Sequence, residues 1–230
     1  DLATNLPTDR FDIAVAAGGN GFLFQKLHSA GIRTIPIPEL ERDISIGKEI
    51  FSFLALYRIF RHERPDIIHL NSSKVGVLGA IAGRIASLAA HKRIRIFFTV
   101  HGWVFHEDRS LFTRAIILFL SWLAGLFQDI VILINMADFT TAQRFISRQK
   151  LILVHNGIGE SLFLPRDRAR AFFTEKISQA ITPHTLIIGT IAELTKNKGL
   201  DYLIDSAQKL RSTKYEVRIL IFGEGEERLL

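Results

Sequence analysis

Cysteine is absent from this chain of 230 residues. That excludes disulfides and thiolate metal sites, and it makes a reducing cytoplasm the natural setting. The eight histidines are scattered and form no His-x-x-x-His pair of the kind that holds zinc, so no protein-bound metal is expected. Long apolar runs are missing as well. The longest, AIILFLSWLAGLF at 115–127, falls well short of the ~20 residues that span a bilayer, and it reads as a buried helix cut off by Gln128 and Asp129 from a following strand. The opening, DLATNLPTDRF, is polar, shows no signal-peptide pattern and has no initiator Met, so it looks like the inside of a protein. No aromatic-basic nucleic-acid motif is present, and no nucleic-acid partner is expected.

What is present is a hydrophobic content of 48% and a formal net charge of +6, with an isoelectric point near 9.8. The length suffices for one large domain, or for one domain and part of a second. The positive balance fits a solvated surface, an anionic membrane face or phosphate-rich small substrates. Its basic residues are spread out, apart from YRIFRHER at 57–64 and HKRIR at 91–95.

Short apolar runs rich in β-branched and aromatic residues alternate with longer helical patterns, the signature of repeated βαβ units on a parallel sheet. The strand candidates are 11–16, 33–37, 66–70, 95–100, 129–134, 151–154, 185–191 and 217–222, and the clearest helices are IGKEIFSFLALYRIFRHE and VGVLGAIAGRIASLAA. Strands that are mostly unalternating suit a sheet covered on both faces, so the fold class is α/β, doubly wound. A domain boundary is expected between VHNGIGE at 154–160 and QAITPHT at 179–185. The assignment is 1–157 for a first Rossmann-like domain and 158–230 for a linker and two further βα units. Two such units are too few to close a sheet, so the chain is expected to be cut at its C-terminus.

Ligands of parallel α/β sheets gather beyond the carboxyl ends of the strands. After DIIHL come Asn71, Ser72, Ser73 and Lys74, which either cap the following helix or bind hydroxyls or an anion. After RIFFTV comes HGWVFHEDRS, with His101 and Gly102 at the sheet edge and Trp103 beside them. After TLIIGTI the loop AELTKNKG carries Glu193, Lys196 and Lys198, where an ammonium and free backbone N–H groups can converge on a phosphate or, better, on a departing diphosphate. After VRILIF, Gly223 and Gly225 permit a tight turn and close backbone approach. GGNG at 18–21 does not complete a dinucleotide fingerprint.

Taken in order, these stretches resemble the family-four retaining glycosyltransferases of the GT-B fold, in which two Rossmann-like domains face each other across a cleft. RPDIIHLNSSKVGVLGAIAGR looks like the strand and helix beside the acceptor cleft, TVHGW like the strand ending in the active-site His, and KLILVHNGI like the approach to the linker. IIGTIAELTKNKGLDYLIDSAQKL and VRILIFGEGEERLL look like the first two βα units of the donor domain. The resemblance implies that Lys198 binds the diphosphate of a UDP- or GDP-linked sugar, with Thr190, Glu193, Lys196, Gly223 and Gly225 on the donor side. It places His101 at the reaction centre as the catalytic residue, and Asn71, Ser72, Ser73 and Trp103 on the side of a lipid-linked or saccharide acceptor. Neither cofactor nor metal is implied beyond the nucleotide-sugar co-substrate.

The family's usual Arg before its Lys is replaced here by Ala192-Glu193-Leu194, so either Lys196 supplies that charge or Glu193 bonds sugar or ribose hydroxyls. The family's first strand should precede Asp1 and its acidic E-x7-E motif should follow Leu230, so the chain taken alone is expected to be inactive. Glu216 and Glu224 have that spacing but flank a strand, and their match is read as coincidence. The basic balance and the Trp122-bearing helix fit a cytoplasmic protein docked on the inner face of an anionic plasma membrane. The rival readings are a nucleotide-sugar epimerase of similar fold and a non-catalytic nucleotide-sugar binder.

Overall fold

A computed structural model of the chain describes residues 2–19, 21–41, 45–107, 109–157, 159, 162–177, 181–182, 184–211 and 216–225. Asn20, Ile158, Glu160 and Pro183, which belong to the glycine-rich and linker stretches singled out in the sequence, lie outside the described residues. Two compact units divide the chain, Asp1–Asn156 and Gly157–Leu230.

The first unit runs α1 (Leu2–Asn5), β1 (Ala14–Ala17), α2 (Phe22–Ser29), β2 (Arg33–Pro36), α3 (Ile46–Glu63), β3 (Ile67–Leu70), α4 (Ser73–Ala89), β4 (Arg95–Val100), α5 (Leu111–Phe127), β5 (Ile130–Leu133), α6 (Met136–Ala142) and β6 (Leu151–Leu153). The second holds α7 (Arg166–Ile177), β7 (Leu186–Ile191), α8 (Leu200–Arg211) and β8 (Val217–Phe222). Every strand pairing is parallel: β1 with β2, β3-β4-β5-β6 in consecutive order, and β7 with β8. Parallel neighbours need a crossover each time, and α4, α5 and α6 supply it in the four-stranded sheet.

The packing of the first unit follows from the strand period of two. Ile68, Leu70, Ile96, Phe98 and Val100 are buried in one core with Leu56 and Phe60 of α3 and Ala80, Ala82 and Ala86 of α4. Helix α4 lies close on the sheet because Gly76 and Gly83 face it. A Cβ on Gly76 would stand 2.7 Å from the Phe98 ring, and one on Gly83 would stand 2.9 Å from Ile68 Cδ1. Asp129 fastens the start of β5 to β4. Its N–H donates to Ile96 O at 2.8 Å, and its carboxylate accepts from Ile96 N at 2.8 Å and from Arg84 at 3.0 Å.

One expectation fails. The apolar run 115–127 is helical, as α5, but it is not buried: only Ala124 and Gly125 are enclosed, and Phe119, Trp122 and Leu126 are exposed. A long apolar run too short to span a bilayer suits a core helix. In the structure it is an outer helix, with α4 beneath one side only.

Candidate functional site

Strand β3 ends at Leu70 beside Phe98 of β4, so the residues that follow the two strands emerge at the same edge of the sheet. This brings Asn71, Ser72 and Ser73 to the edge that carries His101. All four are exposed. Ser72 is the N-cap of α4, its Oγ accepting from Val75 N at 3.4 Å while its carbonyl accepts from Gly76 N at 2.7 Å. The capping role foreseen for this stretch is thus filled by Ser72. Asn71 Nδ2 donates to His69 O at 3.4 Å. Lys74 is turned inward, its Nζ bonded to Glu49 Oε1 and to Glu41 O, each at 2.7 Å.

Sequence reasoning missed His69. It stands in β3 with Nε2 2.8 Å from Thr99 Oγ1 of β4, and burial holds its pKa below the ordinary value, with the charge of His101 adding to the shift. An imidazole whose charged form is disfavoured by burial thus stands on the strand next to the one that leads to His101. The signal available was one polar residue in the otherwise apolar strand IIHL.

Trp103 stands apart from its exposed neighbours. Its indole is buried, stacked on Phe105 at 5.3 Å and edge-on to Phe145 at 5.2 Å, and its Nε1 donates to Asp138 O at 3.1 Å. With Arg114 Nε donating to Phe105 O at 3.0 Å, it anchors residues 103–106 to α5 and α6. In this arrangement the ring holds the loop that follows His101.

In the second unit, β7 is followed by a loop laid against the end of β8. Ala192 N donates to Phe222 O at 3.0 Å, and Leu194 N donates to Glu224 O at 2.9 Å. The closeness explains the two glycines: a Cβ on Gly223 would stand 1.8 Å from Ala192 O, and one on Gly225 would stand 2.3 Å from Leu194 O. Lys196–Lys198 form a 3₁₀ turn closed by Gly199 at a φ of 62°, and α8 starts at Leu200. Lys196, Lys198 and Glu193 are exposed, and Thr190 is half-buried in β7. The turn puts two exposed lysines in the residues just ahead of a twelve-residue helix, whose first N–H groups lack intrahelical acceptors, an arrangement that can serve an anion. Glu216 and Glu224 lie at opposite ends of the six-residue β8, on the order of 20 Å of strand apart, so their spacing in the sequence does not make a pair. Glu216 instead accepts from Thr185 Oγ1 at 2.9 Å.

The family model Glycosyltransferase Family 4 matches residues 1–161. The chain is similar to the UDP-Gal:alpha-D-GlcNAc-diphosphoundecaprenol alpha-1,3-galactosyltransferase of Escherichia coli, 25% identical over 96% of this chain and 56% of the relative. It is also similar to the capsular polysaccharide biosynthesis glycosyltransferase CapM of Staphylococcus aureus, 25% identical over 81% of this chain and 48% of that one. The chain thus spans about half the length of these curated relatives. Among solved structures, Anabaena Alr3699/HepE in complex with UDP and glucose superposes with a TM-score of 0.69 at 19% identity, over 93% of this chain and 54% of that one. That likeness shows the fold, the GT-B type with two Rossmann-like units.

Proposed function

Because the chain belongs to Glycosyltransferase Family 4, we propose that the whole protein transfers a sugar from a nucleotide-diphosphate donor to an acceptor hydroxyl, with the anomeric configuration retained, in the synthesis of a cell-surface polysaccharide or glycolipid. The observation that carries this reading is the turn Lys196–Lys198 running through Gly199 into α8 beyond the end of β7.

In the reaction the anomeric carbon exchanges its bond to a diphosphate oxygen for one to the acceptor oxygen. The bonding pair and the acceptor's proton leave with the diphosphate. Lys198 and the start of α8 meet the charge that develops on this leaving group, and where Glu193 takes the place of the family's Arg, either Lys196 supplies the second cation or Glu193 bonds sugar or ribose hydroxyls. Thr190 lines the donor side, and Gly223 and Gly225 keep the neighbouring backbone close to the donor loop. In the first unit, His101 holds the transferred sugar and Asn71, Ser72 and Ser73 orient the acceptor. Trp103 acts by fixing the loop after His101. The E. coli relative acts on a saccharide carried by diphosphoundecaprenol, and a polyprenyl-diphosphate saccharide is the acceptor class we propose here, met at the cytoplasmic face of the membrane.

Calorimetric titration with UDP and with GDP tests the donor side. One of them is expected to bind, and Lys198→Gln is expected to weaken binding by about ten-fold or more, the value of one charge-assisted hydrogen bond. Equal affinity in parent and variant would sink the role of Lys198. For the whole protein, nucleotide release that depends on the acceptor is expected. Glu193 favours one second reading, a nucleotide-sugar binder without transfer, and binding with no release under any acceptor would establish it.

A further inference from the structure

Helix α5 carries the largest apolar display of the described chain. Phe112, Ile116, Phe119, Trp122 and Leu126 recur at spacings of four, three, three and four, which aligns them on one face. They are 76%, 43%, 56%, 40% and 54% exposed, and Leu111 and Leu118 widen the stripe. The opposite side is the one that packs: Ile117, Ser121 and Ala124 line the seam with Gly76 and Val77 of α4, and Gly125 meets Ile146. Soluble monomers rarely leave so continuous an apolar face to water, and a face of this kind marks an interaction surface.

Three observations indicate its occupant. From Arg109 to Gln128 there is no Asp or Glu. Positive charge stands at both ends of the helix, Arg114 in its first turn and Lys150 on the carbonyls of its last turn, while Arg84 beside that end is paired with Asp129. Residues 84–150 hold nine Lys and Arg against four Asp and Glu, so five of the chain's six surplus positive charges belong to the stretch that carries α5. An apolar face with a Trp near its middle and cations at its ends matches the interfacial layer of an anionic bilayer, where rings enter the acyl boundary and cations meet phosphate. No described helix is long and apolar enough to cross a membrane, so α5 has to lie in the plane.

We propose that the outward face of α5 docks the protein on an anionic phospholipid surface, which puts the transferase in the layer where a lipid-linked acceptor is held. The inference rests on the proposed function only for that acceptor class; the surface itself rests on α5.

The test is flotation of the chain with vesicles of phosphatidylglycerol and phosphatidylcholine, against phosphatidylcholine alone, at low salt. The chain is expected to float with the anionic vesicles and to be released by salt. Phe119→Gln with Trp122→Gln is expected to lower partitioning by at least about ten-fold, since two large apolar side chains no longer enter the lipid, with an unchanged melting temperature because both are exposed. Should that variant misfold, Phe112→Gln reads the same face one helix end away. Brominated acyl chains are expected to quench Trp122, and Trp122→Phe is expected to float normally while losing the quenching, since Trp103 is buried.

No flotation with anionic vesicles, or equal flotation of parent and double variant, overturns the proposal. A concentration-dependent dimer abolished by the double variant, in the absence of vesicle binding, would assign the face to a second copy instead. Nucleotide binding without flotation defeats only the docking, whereas flotation without nucleotide binding defeats only the transferase reading.

Discussion

The two units hold their loops by different means. Around the four-stranded sheet, Ile94, Ile96, Val131 and Leu133 are fully enclosed, and the loop after β4 is tied down by side chains from other elements: Trp103 on the Asp138 carbonyl and Arg114 on the Phe105 carbonyl. Around the β7–β8 pair, apolar burial among the described residues goes no further than Leu200, Ala207 and Val217. The loop after β7 there is held mainly by main-chain bonds to the end of β8. Two strands offer too few neighbours to exclude water from both faces. Position is therefore maintained by a core in one unit and by backbone pairing in the other, and equal substitutions should act unequally.

The strongest way to break this comparison is to delete the same side chain in both. Leu133→Ala opens a cavity in an enclosed site and should destabilise the first unit by about 2–5 kcal/mol. Leu200 retains 9% of its surface in solvent, next to a loop that can settle, and Leu200→Ala should fall at or below the low end of that range, about 2 kcal/mol. Thermal unfolding, with hydrogen exchange to assign each loss to its unit, checks both. Equal losses would mean that the second unit has a core as close-packed as the first.

Next come the two glycines that turn each loop. Gly102 has a φ of 125° and Gly199 a φ of 62°. Left-handed helical backbone costs an L residue about 1–2 kcal/mol, whereas the region around Gly102 is more restricted, up to about 3 kcal/mol. A Cβ on Gly102 would meet nothing within 4 Å, so its loss would be backbone strain alone. One on Gly199 would meet the Tyr202 ring at 3.3 Å, and that ring is exposed and can move aside. Gly102→Ala is expected to lower the melting temperature more than Gly199→Ala, which should show mainly as weaker nucleotide binding in titration.

These differences set what was legible beforehand. The strands could be read because runs such as RIFFTV and VRILIF are β-branched, aromatic and unalternating, and α3 could be read over its full Ile46–Glu63 span from its apolar stripe. The GT-B character was legible in the order of motifs from DIIHL to VRILIF. The environment of α5 was not, since hydrophobicity states that a face avoids water without stating what covers it. Nor was the anchoring of Trp103, whose acceptor lies 35 residues further along the chain. Gly223 and Gly225 could be read as close approach, but only coordinates show that Ala192 and Leu194 are the neighbours approached.

A third prediction sharpens the comparison with two buried or half-buried cations that each clamp two carbonyls. Lys150 Nζ donates to Gly125 O at 2.8 Å and Leu126 O at 3.1 Å, closing the end of α5. Arg170 donates to the carbonyls of Thr182 and Thr185 at the approach to β7. Substituting Met at either position keeps an apolar stem and removes the donor, at about 1–2 kcal/mol. Lys150→Met should raise exchange only in the last turn of α5, because α4 still holds that helix. Arg170→Met should raise it throughout β7 and β8, which have little else to hold them.

The smallest expected effect separates the units by pH. Burial, with the His101 charge added, holds the His69 pKa below its ordinary value, about 6.5. As pH falls through that value, the unfolded chain takes up a proton that the folded chain still refuses, so the first unit loses stability down to the folded pKa and none is lost above the window. In the second unit the Thr185 hydroxyl, donating to Glu216, holds that carboxylate below its ordinary value, about 4.3. The unfolded chain there gains its extra proton only as pH falls through that ordinary value, well below the His69 window. Cooling of the melting transition between neutral pH and the low sixes should therefore appear in the first unit alone, and His69→Gln should flatten it. A slope that persists in His69→Gln would move the titrating group elsewhere in the first unit, and the same slope in both units would mean that acid acts through net charge rather than through either of these two groups.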